Sequence, residues 1–511
     1  MTKSTNQTGI VLAGLLLAIL MASMDNTIVA TAMGSIIADL GGLDKFVWVT
    51  SAYMVAEMAG MPIFGKLSDM YGRKRFFIFG ILVFMLGSAL CGTATSIVQL
   101  SLYRAIQGIG GGALVPIAFT IMFDAVKPES RGKLMGLFGA VFGLSSIFGP
   151  LLGAYMTDYI KWEWIFYINL PLGLIAFLMV AIFYKESLQH AKQRIDWAGA
   201  FSLVGAIVCL MFAMELGGKQ FAWNSAQIIS LFTGFALLTV TFLYVETRAE
   251  EPIISFRMFR DRLYSASNAI AMLSGAAFIT ASVYIPIFIQ GVLGGSATNS
   301  GLVLLPMMLG TVVTATVGGF LISKFSYRAI LISTLILLVA GMALLITLTP
   351  DSSRLLITAY MILVGLGIGA SFSVLSNAAI HSVPASQRGA ANSTLNFLRS
   401  LGMTIGITIF GIIQSHSLTR HLSDAFTGSG QSAMPQGLDF KDPHALLDPA
   451  TRTQIPEQLL AKISEGLSSS IVATFAWGLI PAALALVAAF AMSKEKFVIE
   501  TDKDTFAAAS H

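Results

Sequence analysis

Four ionisable residues stand where ionisable residues are expensive. Asp25 lies in ILMASMDNTIVATAM (19–33), Glu57 in SAYMVAEMAGMP (51–62), Arg104 in LYRAIQGIGGG (102–112) and Arg399 in LNFLRSLGM (395–403). A charged Asp at the centre of a membrane helix costs about 2.5–3.5 kcal/mol even on the lenient insertion scale. Low dielectric favours the neutral form of a carboxyl, so such a group can load a proton and release it when a cation or an aqueous route takes over. An arginine stays cationic at any working pH and needs an acid or several carbonyls beside it. The chemistry these residue types offer is proton exchange and cation pairing. Covalent catalysis has little support: there is no zinc motif, no nucleophile–base pair and no mid-span His, and His381 falls at a helix end. A G-x-x-x-x-G-K-[ST] phosphate loop is also absent.

The elements that hold these residues follow from composition. The 511 residues are 55% hydrophobic and only 11% charged, against about 25% charged in a soluble domain. The charges cluster between uncharged runs of about 20 residues, the length that crosses roughly 30 Å of hydrocarbon. Fourteen spans are expected, at 9–36, 46–66, 76–95, 98–125, 133–156, 163–184, 197–217, 226–246, 263–291, 298–323, 328–349, 355–380, 391–415 and 469–492. The polar, Ser-, Asp-, Gly- and Pro-containing segment 417–468 reads as one long loop. The first apolar run is too long for a signal-peptide core of about 7–15 residues, so span one is expected to stay in the membrane. Cys91 and Cys209 both fall within spans and read as small apolar fillers.

An even number of spans puts both termini on one side, and most of the 31 Lys and Arg fall on that side. Basic residues favour the cytoplasm, so the termini are expected there and 417–468 outside. On this map Asp25 and Glu57 each lie about eleven residues from the external ends of their spans, roughly 16 Å deep at 1.5 Å per residue. The net charge of +4 is spread through loops and gives no reason to expect nucleic acid.

An internal repeat adds organisation. GIGGGALVPIAFTIMFDAVKPESRG (108–132) and GLGIGASFSVLSNAAIHSVPASQRG (365–389) align without a gap. They share Gly108/Gly365, Gly110/Gly367, Gly112/Gly369, Ala113/Ala370, Val126/Val383, Arg131/Arg388 and Gly132/Gly389. The offset maps spans one to six onto nine to fourteen and leaves seven and eight as an insertion. Two parallel six-helix halves about an axis along the membrane normal is a transporter architecture. The divisions are then 1–190, an inserted pair in 191–250, and 251–511. A weaker pair, GKLSDMYGRKRF (65–76) and GGFLISKFSYRAI (318–330), brings Gly and Arg to the same face, but the second copy lacks the acid.

These motifs resemble a known family. GKLSDMYGRKRF resembles the loop motif G-x-L-a-D-r-x-G-r-k of the major facilitator superfamily, with Gly65, Leu67, Asp69, Gly72, Arg73 and Lys74 matching and Met70 departing. LYRAIQGIGGG resembles the span-four motif through Arg104, Gln107, Gly108 and Gly110. SSIFGPLLGA resembles the span-five antiporter motif through Gly149, Pro150 and Gly153, with Ser145 and Ala154 in place of glycines. MDNTIVATAMG resembles the span-one signature of the fourteen-span drug:proton antiporters through Asp25, Thr27 and Ala32, with Ala30 and Gly34 departing. WEWIFYINLPLG (162–173) adds a stretch typical of that branch, which includes multidrug efflux transporters of Gram-positive bacteria.

The resemblance implies an all-α major facilitator fold: two pseudo-symmetric six-helix bundles plus two inserted helices. It implies transport driven by the proton gradient, with no cofactor and no ATP, by a multi-pass cell-membrane monomer whose partners are small-molecule drugs, protons and the lipid bilayer. It makes Arg104 a proton-coupling residue acting on a carboxylate, for which Asp25 is the candidate. It makes Asp69, with Gly65, Gly72, Arg73 and Lys74, a latch between the halves when the transporter faces outward. Glu57 belongs to none of the motifs; it reads either as a second proton site or cation partner, or as a structural acid. Asp25, Glu57, Gln107 and Arg399 are the candidate substrate contacts, and no residue is assigned to catalysis or to a metal. Gly149 and Pro150 let helices approach closely and interrupt a backbone bond. The expected activity is efflux of lipophilic cationic or zwitterionic aromatic compounds in exchange for protons. The competing readings are a narrow transporter of one metabolite and, in another class, a non-transporting membrane sensor or an intramembrane enzyme.

Overall fold

The structure is a computed structural model that describes residues 2–41, 47–126, 128–186, 196–218, 220–295, 297–427 and 457–496. In an apolar medium a backbone must satisfy its own hydrogen bonds, and a helix does so within one segment. The described residues accordingly form α1 (Thr2–Leu40), α2 (Val47–Tyr71), α3 (Arg73–Cys91), α4 (Ile97–Ala125), α5 (Pro128–Tyr159), the short α6 (Trp164–Tyr167) and α7 (Asn169–Phe183). The chain continues through α8 (Trp197–Leu216), α9 (Ala226–Arg248), α10 (Arg262–Ile287), α11 (Ala297–Leu321), α12 (Tyr327–Leu345), α13 (Arg354–Ile380), α14 (Arg388–Thr427) and α15 (Glu457–Ala491). Short polar side chains start the helices: Ser96, Asp196, Ser225, Asp261, Ser326 and Ser353 each accept a first-turn N–H.

Among the described residues twelve helices are long and apolar enough to cross a membrane. The other two expected spans are α2 and α5. Both are packed between other helices, α2 against α4 and α14, α5 against α1 and α11.

The expected loop at 417–468 is corrected at both ends, because α14 continues to Thr427 and α15 starts at Glu457. Loss of apolar character marks where hydrocarbon ends. It does not end a helix, whose backbone bonds persist in water. Residues 428–456 lie outside the described part of the chain, as does the expected junction at 190–191.

The repeated glycines pack the same way in both halves. A Cβ on Gly108 would strike the Tyr53 carbonyl and one on Gly112 the Glu57 carbonyl, both on α2, while one on Gly110 would strike the Phe84 nitrogen on α3. On α13, Gly365 faces the Met307 carbonyl and Gly369 the Thr311 carbonyl of α11, and Gly367 faces the Leu338 nitrogen of α12. Thus α4 and α13 each press backbone-to-backbone on two neighbours, which only glycine permits. Gly110→Ala should therefore destabilise by about 1–3 kcal/mol, read as a lower thermal midpoint in detergent. Gly34→Ala, with no atom within 4 Å of its added methyl, should leave the midpoint unchanged.

The inserted helices α8 and α9 pack on each other, and α8 also lies on α2. Lys66 on α2 pairs with Glu251 in the following loop at 2.6 Å. Glu246 at the end of α9 accepts the N–H groups of Ile253 and Ile254 at 3.1 and 3.4 Å, which folds that loop back.

Candidate functional site

Asp25, Arg104 and Gln107 meet at one fully buried point between α1 and α4. Arg104 Nη1 donates to Asp25 Oδ2 in a close ion pair. The other oxygen, Oδ1, accepts from Gln107 Nε2 at 2.8 Å and Asn169 Nδ2 at 3.0 Å. Gln107 Nε2 also donates to Ser88 Oγ at 2.7 Å, and Gln107 Oε1 accepts from Arg104 Nη1 at 2.6 Å. Arg104 Nε reaches the Val49 carbonyl at 3.2 Å, and the Tyr53 ring stacks 4.1 Å from the guanidinium. Arg104 Nη2 and Tyr53 Oη are buried without a hydrogen-bond partner among the described residues.

Local sequence explains the convergence. Gln107 follows Arg104 by three residues, so both lie on one face of α4. The glycines of α4 bring α2 and α3 in close, so Tyr53 and Ser88 reach that face. Asn169 begins α7, which follows α6 through the helical residue Ile168. The α5 motif sets the opposite wall. Thr27 Oγ1 donates to the Ser145 carbonyl at 3.1 Å, a Cβ on Gly149 would strike Thr27, and one on Gly153 would lie 2.9 Å from the Ile28 carbonyl. These contacts hold α5 against α1 within one turn of Asp25, and Pro150 is turned outward.

Glu57 is placed differently. It lies one turn beyond Tyr53 on α2, is only partly buried, and has no hydrogen bond or ion pair among the described residues. The charges of Arg104 and Asp25 both act on it. The site thus holds two acids near one arginine: Asp25 sealed and paired, Glu57 unpaired and partly open.

Arg399 is not brought to this cluster. On α14 it donates to Asn396 Oδ1 and to the Ser371 carbonyl, both at 3.1 Å, and its guanidinium lies 4.6 Å from the Phe372 ring centre. Nothing beside it is acidic among the described residues.

At the ends of the helices Asp69 joins the two halves. Its Oδ1 accepts the Gly389 N–H at 3.1 Å and its Oδ2 the Ala390 N–H at 2.8 Å. These are first-turn amides of α14, where a helix N-terminus welcomes negative charge. Arg73, fully buried, donates to Asp69 at 2.9 Å and to the Ala385 carbonyl at 2.5 Å, and pairs closely with Asp124. Gly72 has φ 114°, which lets α2 turn directly into α3. Gly65 lies against Ser393 and the Gly389 carbonyl. Lys74 caps the end of the sixth span through the Tyr184 carbonyl at 2.7 Å. Here residues of the first half, Gly65, Asp69 and Arg73, touch α14 and the turn before it in the second half.

Asn169, Ser88 and Tyr53 were not singled out in the sequence. Asn169 had a signal, an amide within the apolar run WIFYINLPLG. Ser88 and Tyr53 are too common in spans to stand out.

Comparisons with known proteins show the family and the fold. The family model described as Major Facilitator Superfamily matches residues 15–407. The chain is 53% identical over 496 residues to Multidrug resistance protein 3 of Bacillus subtilis (strain 168), covering 97% of each chain. It is 35% identical over 476 residues to Multidrug transporter protein MdtP of the same organism, covering 91% of this chain and 88% of that one. Two solved structures share the fold at low identity. The human organic anion transporter MFSD10 (TETRAN) has a TM-score of 0.61 at 16% identity, over 93% of this chain and 99% of that one. The proton:xylose symporter XylE has a TM-score of 0.60 at 12% identity, over 96% and 98%.

Proposed function

The chain belongs to the major facilitator superfamily and is a multi-pass membrane protein, and from that premise we propose that it is a proton-coupled multidrug efflux antiporter. Its cargo is lipophilic, aromatic and cationic or zwitterionic. Both termini face the cytoplasm, as the basic residues indicate, so closure at Asp69 corresponds to an outward-facing state. The relatives named for multidrug resistance and transport support the efflux reading. The observation that carries the coupling is one buried arginine paired with Asp25, with a second acid, Glu57, left without an ion pair nearby among the described residues.

The exchange follows from charge balance. With Asp25 ionised, Arg104 is neutralised and Glu57 is left free to receive a cation. A proton arriving on Asp25 cancels its charge and releases Arg104. The freed guanidinium then turns its charge on Glu57, one turn of α2 beyond the Tyr53 ring that covers Arg104, and competes with any cation held there. Proton and drug cation therefore exclude each other through Arg104 without sharing a binding atom. A ligand can shift an equilibrium only by its differential affinity for the two states, and here that difference is the state of the Asp25–Arg104 pair.

Glu57→Gln separates this scheme from its rivals. Efflux of monovalent and divalent cationic dyes from everted vesicles should fall by at least tenfold, the equivalent of about 1.4 kcal/mol, with neutral drugs still exported. Equal loss for both classes would make Glu57 a proton site. No loss would leave it a structural acid and sink the exchange. Transport of a single metabolite and no dye at all would favour the narrow transporter.

A further inference from the structure

A groove of about 810 Å³ opens where the N-termini of α10 and α12 meet the C-terminus of α15. Three cations line it: Arg262, the first residue of α10, Arg328 at the start of α12, and Lys494 just past α15. None of the three has an ion pair among the described residues, and no acid lines the groove. The nearby Glu495 is turned elsewhere, its carboxylate 3.5 Å from His381 Nε2. This follows from local backbone. The segment after α15 runs extended across α12, fixed by the Tyr327 N–H donating to the Glu495 carbonyl at 3.2 Å and by a bridge between Ser326 and Lys496. Side chains alternate along an extended segment, so Lys494 and Glu495 face opposite ways. Ser493 lines the same groove with its hydroxyl buried and unpartnered among the described residues.

The rest of the groove is apolar. Phe490 is 51% exposed there, and Ala266 and Ala269 of α10 form the opposite wall. Cations at the helix ends above apolar side chains on spanning helices match one ligand type, a negative headgroup carrying an acyl chain. A small inorganic anion would leave the apolar part unused, and a neutral lipid would leave three charges unanswered.

We propose that this groove is a binding site for an anionic phospholipid of the leaflet on the side of the termini. The phosphate diester sits among Arg262, Arg328 and Lys494, and the acyl chain descends along Phe490 and Ala269. Basic pockets between spanning helices on that face are suited to such headgroups. The bound lipid ties α10 and α12 to the tail of α15.

The test is native mass spectrometry of the purified full-length protein in detergent, titrated with phosphatidylglycerol or phosphatidylcholine. Wild type should retain phosphatidylglycerol in preference to phosphatidylcholine, and inorganic phosphate at equal concentration should not displace it. Each cation adds about fivefold to anionic-lipid attraction, so Arg262→Gln/Arg328→Gln/Lys494→Gln should weaken retention by roughly a hundredfold. Arg75→Gln/Lys185→Gln, which removes two exposed cations from the same face of the first half, should leave retention unchanged. Ala269→Trp fills the apolar wall, keeps every charge, and should also lower retention. Equal retention by wild type and triple variant, equal binding of both lipids, or displacement by inorganic phosphate would each overturn the proposal.

Discussion

Asp25→Asn should abolish proton-driven efflux and also lower the stability of the protein. Asparagine can still accept from Gln107 and Asn169, so the local geometry survives. It can neither hold a negative charge nor exchange a proton. Arg104 then becomes a buried cation without a counter-ion, and breaking a buried pair from one side costs about 3–5 kcal/mol. Loss of transport in this variant alone could therefore be blamed on folding. Asp25→Asn/Arg104→Gln removes the stranded charge as well. Its thermal midpoint in detergent should recover most of the loss, and dye efflux from everted vesicles should stay at the level of vesicles without the transporter. Recovery of efflux together with stability would mean that the pair is structural.

Asp69→Asn should shift conformation and leave substrate affinity nearly unchanged. The wild-type carboxylate presents one oxygen to each of two N–H groups at the start of α14. An asparagine offers one oxygen and one NH2, so one amide of α14 would face a donor. Arg73 would also lose one of its two carboxylate partners. A hydrogen bond to a charged group is worth about 1.5–3 kcal/mol, which moves a two-state population by roughly ten- to a hundredfold. Spin labels on the turns near Lys74 and Lys324 should report a wider mean separation in the variant, with transport slowed. Static binding of a dye should change only through the population shift. An unchanged distance distribution together with lost binding would make Asp69 part of the drug site.

Much of this arrangement is legible in the chain itself. Helix number and order follow from apolar runs, because a span must be apolar where it meets lipid. Asp25 and Arg104 were visible because a full charge in a span is costly enough to be rare. Asp69 was visible as an acid between glycines, but its partners were not. They are backbone amides of α14, and an N–H leaves no mark in the sequence beyond the Gly389 that lets Asp69 approach. Asn169 and Ser88 stayed hidden for a related reason: neutral polar side chains cost little in a span, and their role depends on how α3 and α7 pack beside α1 and α4. Arg399 was visible by the same rule, but its neighbours, the Phe372 ring, Asn396 and the Ser371 carbonyl, were not. The span limits failed at α14 and α15 because apolarity reports the membrane boundary and not the helix end.

Exchange of drug and proton through Arg104 can be measured on purified protein in sealed liposomes. The liposomes enclose a pH-sensitive dye, and a gradient of a cationic aromatic compound is imposed with no pH gradient. The account predicts proton movement opposite to the drug, starting with drug addition, absent in Asp25→Asn/Arg104→Gln and reversed when the drug gradient is reversed. Drug movement at the wild-type rate with no accompanying proton flux would contradict it.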